Sequence, residues 1–243
     1  MAGNRSMLQE ISKRVASLDW PSLQKQLDEQ GYASLPVLLE EAECRELIGM
    51  YDEEANFRSR IDMERYRFGQ GEYKYFAAPA PPLLQELRSS LYPELAQTAN
   101  RWLQCLGGET VYPGDLPAFL ERCYEHGQVR PTPLILKYET GGYNCLHQDL
   151  YGEVFFPFQV VFALNRREQD YTGGEFLLVE QRPRAQSRGH VLTMEQGAGV
   201  IFPTQHRPVL GTRGYYRTTL RHGVGTVTSG TRYTLGIVFH DAK

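Results

Sequence analysis

At 243 residues, with 41% hydrophobic, 23% charged and 12% aromatic residues and a formal net charge of −3, the chain can build one sizeable core. No run approaches the roughly eighteen apolar residues of a membrane span, and the start, MAGNRSMLQEISKRV, lacks the apolar stretch of a secretion signal. Cys44, Cys105, Cys123 and Cys145 are scattered without CxxC spacing, so free thiols and a cytoplasmic location are expected rather than a disulfide framework or zinc cluster.

The charge is uneven along the chain. Residues 160–243 carry eleven Lys/Arg against six Asp/Glu, whereas residues 1–159 carry fifteen against twenty-three. A basic C-terminal part points to an anionic partner, set against the plainer reading of an uneven solvated surface.

The first half reads as helical. Apolar positions recur at helical spacing over 6–18 and 21–30, and Gly31 supplies a stop. GYASLP suggests a short strand broken by Pro36, after which LLEEAECRELIGMYDEEA resumes as an amphipathic helix. ERYRFGQGEYKYF alternates, is rich in aromatics and has glycines at its centre, which predicts a hairpin. AAPAPP is a rigid turn, and LLQELRSSLYPELAQTANRWLQCL is one or two helices, with Pro93 either a break or the first turn of the second. From about residue 132 the pattern changes to strands: LILKYE, YNCLHQD, FQVVFALN, GEFLLVE, HVLTM, GVIFP, YRTTLRHGV and RYTLGIVFH. Eight short strands without intervening helices predict a closed sandwich or jelly roll. The expected architecture is mainly β with α: a β core over 132–243 and a helical and hairpin support over 1–131, integrated as one domain.

His147 and Asp149 stand two apart, so an extended strand end points both to one face. With one more histidine they make the facial triad of non-haem Fe(II) oxygenases, in which imidazole suits iron and open positions remain for substrates. The third ligand must come from another strand. His126 precedes the strand region, His190 starts a strand near an arginine-rich loop and His240 is almost terminal, which leaves His206 and His222. His222 is favoured by its downstream neighbours, since HGVGTVTSGTRYTL runs through a Ser-Gly turn to a strand beginning at Arg232. On that strand Arg232, Thr234, Gly236 and Val238 share one face and Tyr233, Leu235, Ile237 and Phe239 the other. An arginine beside a small hydroxyl residue makes a pocket for an anion, because guanidinium pairs bidentately with carboxylate and is costly to bury alone. His206 as the ligand, and Arg232 as a cap on a barrel end, are the alternatives.

The stretch from LILKYETGGYNCLHQD through LNRREQDYTGGEF and GVIFP to RHGVGTVTSGTRYTL resembles the 2-oxoglutarate/Fe(II)-dependent dioxygenases, especially their prolyl-hydroxylase-like branch. The resemblance covers about residues 132–240, and GYASLPVLLEEAEC looks like the strand-and-helix entry that many of these enzymes place before the core. It implies a double-stranded β-helix (jelly roll) with Fe(II) on His147, Asp149 and His222. It also implies that 2-oxoglutarate chelates the iron and sets its far carboxylate on Arg232, with Tyr138 and Thr234 as further partners. With O₂ at the remaining position, oxidative decarboxylation gives succinate and CO₂, and a substrate C–H bond is hydroxylated. One departure is the stretch 204–221, TQHRPVLGTRGYYRTTLR, where simpler members run almost directly from GVIFP into the histidine.

That insertion is basic and aromatic, which marks Arg213, Tyr215 and Arg217 as candidate substrate contacts; Tyr73 in ERYRFGQGEYKYF has the same character. Arginine interleaved with tyrosine can contact phosphates and stack on bases, whereas the bland reading makes these a packed and solvated rim. RYRFGQGEYKYF together with HRPVLGTRGYYRTTLRHGV resembles a bacterial dioxygenase family acting on alkylated nucleic acid. There, hydroxylating an N-methyl group gives a hemiaminal that sheds formaldehyde, and the base must be single-stranded or flipped. The rival expectations are prolyl-type protein hydroxylation and a non-enzymatic cupin-like metal- or ligand-binding module. Single-stranded or damaged nucleic acid is the expected partner, with no membrane and no obligate protein partner.

Overall fold

The computed structural model describes residues 10–109 and 111–243. The chain opens with α1 (10–16), α2 (Trp20–Gln30), β1 (Ala33–Leu35) and α3 (Glu41–Gly49); residues 6–9 of the expected first helix lie outside the described residues. Asp19 caps α2 by accepting from the Ser22 N–H, and Gly31 ends it at φ 82, where a Cβ would come within 2.7 Å of Arg207 Cδ. α3 starts at Glu41 rather than in the preceding leucines, because Glu40 and Glu43 form a capping box there.

The hairpin expected over ERYRFGQGEYKYF is displaced. Its strands are β2 (Phe57–Asp62) and β4 (Glu72–Phe76), and ERYRF belongs to their connection. Arg67 at φ 59 interrupts the extended backbone there, and β3 (Gly69–Gln70) pairs in a different sheet. α4 (Pro82–Cys105) is one continuous helix with Pro93 inside. Leu84, Leu87, Leu91, Leu95 and Trp102 give it a buried stripe, and that packing outweighs a proline cost of about 3 kcal/mol. α5 (Leu116–Glu125), capped by Asp115, is absent from the sequence expectation.

The remaining strands are β5 (Leu134–Glu139), β6 (Tyr143–His147), β7 (Phe158–Ala163), β8 (Tyr171–Gly173), β9 (Phe176–Gln181), β10 (Arg188–Leu192), β11 (Gly199–Pro203), β12 (His206–Gly211), β13 (Gly214–Val224) and β14 (Val227–Val238). They form two antiparallel sheets. The larger runs β1-β11-β7-β14-β5-β4-β2, with β8 also on β14; the smaller runs β10-β9-β13-β6-β3, with β12 also on β13. This is the expected jelly-roll class, although β1, β2, β3 and β4 come from before residue 132. The insertion is not a loop. Residues 206–211 fold back on β13 as a hairpin, and buried Arg207 donates to Glu180 and to the Asp28 carbonyl, tying it to α2.

Each face of the larger sheet has its own task. Phe158, Val160, Phe162, Leu235, Ile237 and Phe239 point to the helices and join Leu87, Tyr92 and Trp102 in the main core. The alternating residues point to the smaller sheet. There Val161, Ala163, Phe176, Leu178 and Phe202 pack in one cluster, and Met63, Tyr138, Tyr171, Val224 and Val227 in another.

His240 closes β14's end and predicts an acid sensitivity. It is fully buried, accepts the Phe156 N–H on Nδ1, and leaves Nε2 without a partner among the described residues. Burial pushes its pKa down from 6.5 to about 4. The unfolded chain therefore takes up the proton first as the pH falls. Stability contributed by the neutral ring is intact above pH 6.5 and declines by about 3 kcal/mol as the pH reaches about 4. Denaturant melts over that window should show the decline, and His240→Asn should flatten it; equal slopes would contradict the assignment.

Candidate active site

The two sheets enclose a cavity of about 340 Å³, walled by Leu134, Leu136, Val161, Phe176, Phe202 and Val224. Into it reach His147, Asp149, His222, Arg232, Thr234, Tyr138, Asn144, Tyr73 and Tyr151.

Strand register assembles the first three. His147 ends β6 and pairs with His222 on β13, the imidazole centroids lying 4.2 Å apart. Between Asn144 and His147 the register slips, so β6 spends three steps where β13 spends two, from His222 to Val224. This bulge lets Asn144 and His147 line the same cavity despite their odd spacing. Gln148 fixes the next turn by donating to the Gln205 and Leu220 carbonyls. Asp149 Oδ2 then lies 3.1 Å from His222 Nε2, and Oδ1 lies 3.5 Å from His147 Nε2. Ligand atoms of the three residues all fall within 4.8 Å of one another.

The protonation states suit a cation. His147 Nδ1 is 2.8 Å from the Cys145 carbonyl, which can only accept, so Nδ1 donates there and Nε2 is the ring nitrogen turned toward Asp149. Burial and the neighbouring His147 push the His222 pKa down, which favours its neutral ring. Burial would raise the Asp149 carboxyl, but His222, His147 and the Tyr151 hydroxyl hold it well below the usual range. Tyr151 donates to Asp149 Oδ1 at 2.7 Å, and Tyr75 donates in turn to Tyr151 at 3.3 Å. Two imidazoles and an ionised carboxylate match the donor set of a divalent iron site.

Arg232 lies on the opposite sheet. It is only 1% exposed, and among the described residues its Nε lacks a partner and its one side-chain hydrogen bond is to Thr234 Oγ1 at 3.4 Å. Tyr138, its register partner on β5, receives a bond from Asn144 and is pushed up to about 12 by burial. A buried guanidinium without a carboxylate, in the same cavity as the ligand cluster, calls for an anion from outside the chain. The GGE turn makes room for it. Gly174 sits at φ 62, and a Cβ there would come within 2.7 Å of Arg232 Cδ. Gly174→Ala is expected to cost about 1–2 kcal/mol in backbone strain and to raise the KM for a carboxylate co-substrate by displacing Arg232. Chemical denaturation and saturation kinetics check the two effects separately.

The structure divides the other candidates. Tyr73 lines the cavity; Arg213, Tyr215 and Arg217 do not. At a strand rise of about 3.3 Å, Tyr215 lies roughly 23 Å along β13 from His222, and it abuts Cys105 at the end of α4. Arg217 lines a separate cleft with Trp102 and His206, so His206 is removed from the cluster as well. Tyr151 and Asn144 are cavity residues that the sequence reading passed over; the tyrosine's place two residues after Asp149 was its only signal.

Residues 71–242 match the family described as "Oxygenase, catalysing oxidative methylation of damaged DNA". The chain belongs to this oxygenase family. Uncharacterized proteins from two strains of Mycobacterium tuberculosis are 50% identical over 167 residues, spanning 69% of this chain and 72% of theirs. A prolyl-4-hydroxylase from Pseudomonas putida has the same fold, with a TM-score of 0.56 at 14% identity over 92% of this chain and 99% of that one. So has a prolyl hydroxylase from Trichoplax adhaerens, solved with a hypoxia inducible factor peptide fragment, at 0.59 and 15% identity over 97% and 92%. The chain is thus an oxygenase, and the expectation of a non-enzymatic binding module falls away. Among the described residues, no helix is long and apolar enough to cross a membrane.

Proposed function

We propose that this oxygenase holds Fe(II) on His147, Asp149 and His222, takes the far carboxylate of 2-oxoglutarate on Arg232, and oxidatively demethylates alkylated nucleic acid. The observation that carries the co-substrate part is the buried, carboxylate-free Arg232 across the cavity from the ligand cluster. Support for the substrate comes from the family description.

When bound, Fe(II) with 2-oxoglutarate and O₂ supplies decarboxylation to succinate and CO₂ and the power to hydroxylate a C–H bond. The chain does the rest. Tyr151 holds Asp149 Oδ1 and leaves Oδ2 toward His222. Thr234 and Tyr138 flank Arg232, so a carboxylate there meets hydroxyl groups beside the charge. Leu136, Phe176, Phe202 and Val224 exclude water from the reacting carbon. Tyr73 offers a ring beside a flipped base. The substrate N-methyl group becomes N-hydroxymethyl, which breaks down to N–H and formaldehyde. In this reading residues 132–243 supply the metal and 2-oxoglutarate ligands, while 1–131 add the helices, four strands of the same two sheets and Tyr73 at the cavity.

Succinate release under Fe(II) should be stimulated by a methylated single-stranded oligonucleotide, with equimolar formaldehyde, and not by proline-containing peptides. Stimulation by the peptides alone would replace nucleic-acid demethylation with protein hydroxylation.

A further inference from the structure

The connection between β2 and β4 carries aromatic and basic side chains that the core does not use. Its backbone is tightly folded. The Tyr66 and Phe68 N–H groups both donate to the Met63 carbonyl, and the Arg67 N–H donates to the Glu64 carbonyl. Met63 is fully buried against Tyr138, Tyr171, Val224 and Val227. The Phe68 carbonyl accepts from the Cys145 N–H, and β3 pairs with β6, so the connection is fixed to the strand that ends in His147.

The side chains this mount displays are exposed. Tyr66 and Phe68 are 49% and 45% exposed and stack on each other, with centroids 5.6 Å apart and planes 21° apart. The Arg65 guanidinium lies 5.9 Å from the Tyr66 ring centre. Arg67 and Phe68 line the cavity mouth beside exposed Leu146. The nearby carboxylates, Asp62 and Glu64, line a separate cleft with Arg60 and Lys137. Neither Arg65 nor Arg67 has an acidic partner among the described residues. Two large rings held in water beside a reaction cavity add nothing to the core, and exposed aromatics at a pocket edge mark a contact surface.

We infer that the Tyr66/Phe68 pair is a stacking platform for single-stranded nucleic acid, with Arg65 and Arg67 on the flanking phosphates. A base has a π-face that stacks on such rings whatever its sequence, and guanidinium groups neutralise the backbone beside it. A base paired inside a duplex keeps its faces covered and does not reach the rings. A neutral proline-containing peptide would leave two arginines without matching charge. The platform holds the neighbouring nucleotide while the target base enters the cavity. The inference rests on the nucleic-acid reading of that cavity.

The test is fluorescence anisotropy with labelled oligo(dT), using the full chain loaded with Mn(II) and 2-oxoglutarate without O₂. Tyr66→Ala/Phe68→Ala should weaken binding about tenfold to hundredfold. Arg65→Ala/Arg67→Ala should lower the salt slope by about one for each phosphate that an arginine neutralises. Both variants should keep the wild-type thermal shift on adding 2-oxoglutarate, which shows an intact cavity. In Phe68→Trp, oligo(dT) should hold its affinity and quench the new indole. Unchanged affinity in the ring variant, or no quenching in Phe68→Trp, overturns the platform while leaving the nucleic-acid substrate in place. Equal binding of a blunt duplex also overturns it. Failure of the wild type to bind oligo(dT) at all overturns the nucleic-acid reading itself.

Discussion

Arg232→Met is expected to raise the dissociation constant of 2-oxoglutarate about hundredfold to thousandfold while leaving the ligand-free protein at least as stable. The two effects share one cause. Arg232 is almost wholly buried, Nε has no partner among the described residues, and Thr234 Oγ1 is a weak partner at 3.4 Å. A guanidinium so placed is costly until a carboxylate joins it, and an unbranched apolar side chain in the same space removes that cost. With ligand present the sign reverses. Truncating one partner of a desolvated charge pair costs about 3–4 kcal/mol, which is roughly hundredfold to thousandfold in affinity. Arg232→Lys should fall between, since it keeps the charge but loses the planar fork. Anaerobic calorimetry with Mn(II) in place of Fe(II), together with melting of the ligand-free protein, reads both quantities. Wild-type affinity for 2-oxoglutarate in Arg232→Met would remove the residue from its proposed role.

The same residue shows what a linear sequence discloses. LILKYE and GVIFP coincide with β5 and β11, because each is a short, mainly apolar or aromatic stretch with proline or glycine close by. On β14 the alternation that separates Arg232 and Thr234 from Leu235 and Ile237 corresponds to cavity and core faces, since period two admits few alternatives there. β8 is only three residues long, and β12 contains His206, Arg207 and Pro208, so both read as loops. The bulge before His147 left no mark on the apolar pattern, yet it decides that Asn144 joins the cavity. The arginines and tyrosines of the insertion were visible as a charge cluster. Their direction was not, because it depends on the eleven-residue length of β13 and on Arg207 turning inward to Glu180. Composition identifies a basic surface; only strand register says how far it lies from His222.

Asp149→Ala is expected to abolish turnover, and the comparison with Tyr151→Phe separates the metal ligand from its support. A four-ligand zinc site is worth about 10–16 kcal/mol, so losing one ligand removes on the order of 3–4 kcal/mol, or hundredfold to thousandfold in metal affinity. The loss in this cavity should reach the upper end, because Asp149 is the one carboxylate among the three clustered residues and two neutral imidazoles do not balance a dication. Folding should survive. Removing Asp149 leaves space beside an existing cavity rather than a void in the main core. Tyr151→Phe keeps the carboxylate and deletes the 2.7 Å bond that orients it. Loss of such an outer partner lowers metal affinity about tenfold to hundredfold. Titration with Co(II), whose visible absorption reports coordination, should rank the affinities wild type, Tyr151→Phe, Asp149→Ala. Far-UV circular dichroism should be alike for all three. Retention of wild-type Co(II) affinity in Asp149→Ala would mean that the metal sits on residues other than the cluster joined by β6 and β13.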